Sequence, residues 1–226
     1  MLVHEPDPSL LTAGFWNYLR EDITFSLFEQ CALKMDLEAI PPPANVMSDQ
    51  AYLNSMSLLL GKIINMAFGS PAIEYGWLDR LKSVQEWRTA LPDTFEPFSR
   101  ASDQSVPQAL PTIRMLGHHH SKPILNSDHQ GTNTYPAAAM HYYLVSLSIL
   151  VQWLGHGQEN LAIFQKETGT KELNVQDILE RYALDICGSA FTSNAPTVLV
   201  NAFGPISYCK ASLLKRFYPL ADWMVR

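Results

Sequence analysis

Charge is what this chain has least of: 17% of its 226 residues are Asp, Glu, Lys or Arg, against roughly 25% in ordinary soluble domains. So few charged side chains cannot cover the outward faces of many helices. Part of the surface is therefore expected to lie under other helices or a partner. Positive charge is the scarcer sign, with 16 Lys and Arg against 22 Asp and Glu and a net charge of −6. A protein that grips nucleic acid through its phosphates needs a basic face to displace counterions, so direct nucleic-acid binding is not expected. Cysteine is also scarce. Cys31, Cys187 and Cys209 are far apart and odd in number, which fits a reducing compartment, nucleus or cytoplasm. The opening MLVHEPDPSLL lacks the basic region, apolar run and small-residue cleavage site of a secretory leader.

Catalytic signatures are missing too. The chain has no G-x-S-x-G nucleophile elbow, no phosphate-binding P-loop, no G-x-G-x-x-G and no H-E-x-x-H, and no cofactor is called for. Period-two alternation is never sustained, so no sheet is expected.

What is there is helical periodicity supported by 47% hydrophobic residues, enough for a real core. Leu11, Phe15, Leu19, Ile23 and Leu27 recur every fourth residue, and Trp16, Tyr18, Phe25 and Phe28 widen the stripe, which predicts one long, broadly buried helix ending near Asp36. The run Pro41-Pro42-Pro43 cannot continue it. Ser48 suits the cap of a second helix whose apolar face holds Leu53, Met56, Leu60, Ile63 and Ile64. A third helix is predicted from about Ile73 to Leu91, closed by Pro92. From Phe98 to Pro136 no period is sustained, and an interval of about 99–135 reads as a long loop or insertion. A short helix around Gln158–Lys166 follows, and Asn174 with Asp177 resembles a capping box opening a helix through Ile178, Tyr182 and Ile186. Pro196 and Pro205 each suit the first turn of a further helix. The expectation is one all-α domain over 1–226, an irregular helical array of about eight helices.

The stretch Pro136–Leu154 carries no formal charge over roughly the length a bilayer requires. His141, Ser146, Ser148 and Gln152 recur along it and no Lys or Arg flanks it closely, so a central buried helix is expected and no membrane partner.

Candidate chemistry is sparse. His118, His119 and His120, with Asp128 and His129 nearby, are potential metal ligands, of which His118, His120 and His129 are the best placed. Adjacent histidines on a loop cannot all aim at one ion, and adventitious binding by a polar loop is the plainer reading. His141, beside Tyr142 and Tyr143, could act as a base in an apolar pocket, although a lone core histidine is commoner. Arg20 and Asp22 interrupt an apolar run; if they point inward they must pair with other groups of the fold.

The segment FWNYLREDITFSLFEQCALKMDL, Phe15–Leu37, resembles a stretch in the regulatory region of fungal binuclear zinc-cluster transcription factors. The matching positions are Phe15, Trp16, Tyr18, Leu19, Arg20, Asp22, Ile23, Ser26, Leu27, Leu33, Asp36 and Leu37. WLDRLKSVQEWRTALPDTFEPF is similar to that family's tryptophan, leucine-proline and F-x-P arrangement, here Trp87, Leu91-Pro92, Phe95 and Pro97. The helix with Tyr142 and Tyr143 and the stretch ILERYALDICGSAFTSNAP are similar in order and spacing. The resemblance implies an all-helical regulatory domain from the carboxy-terminal half of a nuclear transcription factor. Its departure is plain: such a factor reads DNA through six cysteines holding two zinc ions, and this chain has three isolated ones.

Two functions from different classes are thus expected. One is a regulatory domain without its own DNA-binding element, acting on a protein partner, by self-association, or on a small effector. The other is a scaffold co-opted by a biosynthetic pathway as a ligand-binding protein or a cyclase or isomerase, with His141, Tyr142, Tyr143 and Asp22 as its candidate residues. An incomplete gene product with no independent role is the third reading. A closed cavity with a convergent acid or base would favour the second, and an exposed apolar patch the first.

Overall fold

The computed structural model describes residues 8–39, 48–69, 76–95, 97–99, 114–115, 134–154, 158–192 and 196–214. Within them the fold is all-α, with seven α-helices: α1 Pro8–Glu29, α2 Asp49–Phe68, α3 Trp77–Thr89, α4 Tyr135–Leu154, α5 Gln158–Thr168, α6 Val175–Thr192 and α7 Pro196–Leu214.

The apolar run that mimics a membrane span is the middle of the bundle. α2, α3, α5, α6 and α7 all pack on α4. Leu147, Ile149, Leu150 and Val151 are sealed from solvent, so the faces that would meet lipid meet protein instead. Its two buried serine hydroxyls are satisfied, because Ser146 and Ser148 donate to the carbonyls of Tyr142 and Leu144, one turn back.

Caps form where the sequence places them. Ser48 Oγ accepts from the Ala51 amide at 3.2 Å, and Asn174 Oδ1 accepts from the Asp177 amide at 2.9 Å. Other boundaries differ. α1 stops at Glu29 rather than near Asp36, through Gln30 at φ 52° and a Cys31 amide that donates to the Ser26 carbonyl. Pro205 does not begin a helix but lies inside α7, so two predicted helices are one. A two-stranded antiparallel ribbon, Pro97–Ser99 with Arg114–Met115, corrects the expectation of no sheet. Two and three residues are too few to leave a period in the sequence. Residues 100–113 and 116–133 of the interval lie outside the described residues, and Tyr135 already begins α4.

α1 leans on α2 and α7. Its inward face is Trp16, Leu19, Ile23, Ser26 and Leu27, all buried. At the crossing with α7 the backbones come close because Gly204 has no side chain: a Cβ there would stand 3.0 Å from Thr24 Cα.

Candidate functional site

A catalytic reading depends on the polar groups of the interior. Asp22 is buried, and its Oδ2 accepts from the amides of Lys34 and Met35 at 2.8 and 2.9 Å. The carboxylate therefore fixes the chain's reversal after α1. Arg20 donates to Asn54 Oδ1 on α2 and to Asn17 Oδ1, so both charges interrupting the apolar run are structurally engaged. Tyr143 stacks on Trp87 with ring centroids 5.9 Å apart, and its hydroxyl meets Gln85 on α3.

His141 and Tyr142 are different. Both are fully buried, and among the described residues neither imidazole nitrogen nor the phenol oxygen has a hydrogen-bond partner. Burial alone lowers the His141 pKa from 6.5 to about 4, so the ring is neutral at physiological pH. Burial raises the Tyr142 phenol, opposed in part by the Arg20 charge. A general base needs a group that orients it and a reachable proton. Neither Asp22 nor Tyr143 bonds to these atoms, so the four candidates form no hydrogen-bonded constellation.

Metal chemistry finds no foothold among the described residues, where no three potential ligands cluster. His118, His120 and His129 lie outside those residues. Cys187 and Cys209 are buried, and burial pushes their pKa values up to about 11 and about 12, so both stay protonated as free thiols.

The feature that sequence reasoning missed is on the surface. Between α1 and α7 runs an open groove of about 690 Å³, lined by the apolar Phe25, Phe28, Leu199, Val200 and Phe203 and by the polar Arg20, Glu21, Thr24 and Asn201. Of the aromatics expected to widen the buried stripe of α1, Trp16 is buried, whereas Tyr18, Phe25 and Phe28 face outward. Phe25 and Phe28 are 44% and 58% exposed, and across the groove Val200 and Phe203 are 70% and 57% exposed. Phe28 and Phe203 stack at 6.2 Å, joining the two helices in one apolar face. Lys34 Nζ lies 4.2 Å from the centroid of the Phe25 ring. The signal that pointed here was the low charged fraction, which predicts a face in need of cover without locating it.

No protein-family model, no curated protein and no solved structure matches this chain.

Proposed function

We propose that the chain is a regulatory-type helical domain of a transcription regulator, without a DNA-reading element of its own, that works by recognition through the α1/α7 face. The observation that carries this reading is the outward apolar groove formed by Phe25, Phe28, Leu199, Val200 and Phe203. A folded chain that leaves large aromatics in water over a contiguous area holds a surface for docking, since burial of each aromatic would be favourable by a few kcal/mol. The resemblance to fungal zinc-cluster regulators supports the same reading, because one of its two more specific stretches begins on α1. The interior supports it as well: the buried base is neutral and without a partner, and the buried carboxylate is committed to backbone amides. A nuclear or cytoplasmic site of action follows as part of the proposal.

The test is a fusion of the chain to a heterologous DNA-binding domain, with output read from a reporter promoter. The fusion is expected to change the output relative to the DNA-binding domain alone, and His141→Met should leave that change intact. An inert fusion would count against the regulatory reading, and loss of effect in the His141 variant, if it folds, would count for the cyclase or isomerase alternative.

A further inference from the structure

The groove between α1 and α7 is open along its length, whereas small-molecule sites enclose most of their ligand. Its occupant is therefore sought among polypeptides. Of the twelve large apolar side chains that are exposed among the described residues, five stand on α1 and three on α7. Uncovered apolar surface is thus concentrated at this face, and whatever covers it must bring apolar groups of its own.

The chain carries such a segment at the end of one wall. Beyond Leu214, the last residue of α7, residues 215–226 read KRFYPLADWMVR. Phe217, Tyr218, Leu220, Trp223, Met224 and Val225 make half of this segment large and apolar, and each gains by leaving water. Pro219 disfavours a helix continuing through the segment, and a residue before proline favours extended backbone, so the chain is free to leave the α7 axis there.

The segment also reaches. Phe203 lies about 16 Å back along α7 from Leu214 at the rise of an α-helix. The extended chain from Lys215 to Trp223 spans about 30 Å, enough to return the indole to Phe203 and to Phe28, which is stacked on it. Tethering then selects this segment over a separate molecule. A short flexible connection gives an effective concentration in the millimolar range, about a thousandfold above that of another chain at micromolar concentration. Residues 1–7, joined to the α1 wall, hold no aromatic that could do the same.

We infer that residues 215–226 fold back onto the α1/α7 groove, laying Phe217, Tyr218 and Trp223 against Phe28 and Phe203, and that a partner must displace them to use it. The inference rests on the recognition role proposed for this face and adds its regulation.

Limited trypsin digestion of the full chain tests it, because Lys215 and Arg216 place two cleavage sites at the root of the segment. Release of the fragment 217–226 is followed by mass spectrometry in wild type, Phe28→Glu, Phe203→Glu and Trp223→Ser. Circular dichroism and the rate of cutting at Arg80 and Lys82 on α3 report whether the fold is kept. Each variant is expected to release the fragment about fivefold faster, the equivalent of a contact worth roughly 1 kcal/mol, which a partner can displace. Trp223→Ser alters no residue of the described fold, so it serves even if a groove variant fails to fold. Equal release rates in all four proteins overturn the inference. So does a wild-type rate that falls as protein concentration rises, since another copy would then be covering the groove. Release indifferent to the groove substitutions, with reporter output still dependent on Phe28 and Phe203, would sink the fold-back and leave the recognition role. Faster release with reporter output unchanged by either residue would do the reverse. Trp223→Ser should also raise the reporter effect severalfold by freeing the groove, and an unchanged effect would overturn the competition with a partner.

Discussion

An imidazole with no hydrogen-bond partner loses its hydration without compensation, and at His141 that loss holds the pKa near 4 in the folded chain against 6.5 when exposed. The unfolded chain therefore binds the extra proton first. Stability is at its fullest above pH 6.5 and falls as the pH drops from 6.5 towards 4, by about 3 kcal/mol over the whole window. Urea unfolding between pH 7.5 and 4.5 should show this decline, and His141→Met should flatten it while leaving stability at pH 7 within about 2 kcal/mol. Equal slopes for the two proteins would contradict the assignment. The sequence showed an isolated histidine in an apolar helix, and that much was legible. It could not show whether a partner stood opposite, because that depends on which helices pack against α4. Asp22 was legible in the same limited way: its need for a partner was predictable, and the identity of that partner, two amides twelve and thirteen residues on, was set by the turn after Gln30.

α1 has two apolar faces, and this explains what periodicity could not resolve. Leu19, Ile23 and Leu27 are buried, while Tyr18, Phe25 and Phe28 lie in water on the other side. A hydrophobic stripe that wide reads as full burial unless the number of covering helices is known. α7 was harder still. Pro205 reads as a helix start because proline favours the first turn, yet it sits mid-helix, where its ring removes one backbone donor and helix packing must hold the chain helical around it. By contrast α2 and α6 were readable from cap and stripe together, and α4 from an uncharged apolar run that is buried on all sides. The α1/α7 crossing has its own test. Gly204→Val places a side chain against the Thr24 backbone, where a Cβ already approaches to 3.0 Å and the backbone cannot rotate away. It is expected to cost about 1–3 kcal/mol in chemical unfolding. Unchanged stability would show that the two helices are less closely held than described.

At the scale of the whole molecule, the bundle separates stability from recognition. α4 is the centre on which five helices pack, and the α1/α7 face lies at the periphery, where its aromatics add little to the core. Low overall charge foretold an uncovered face, but only the assembled helices give its position, since its two walls are about 170 residues apart in the chain. The measurement that bears most directly on this account joins both properties in one variant. Phe28→Glu with Phe203→Glu removes apolar area from the groove and none from the core, so the unfolding free energy should stay within about 1 kcal/mol of wild type. The same substitutions should abolish the reporter effect of the tethered domain. A variant that keeps full regulatory output while equally stable would contradict the claim that this face is where the protein works.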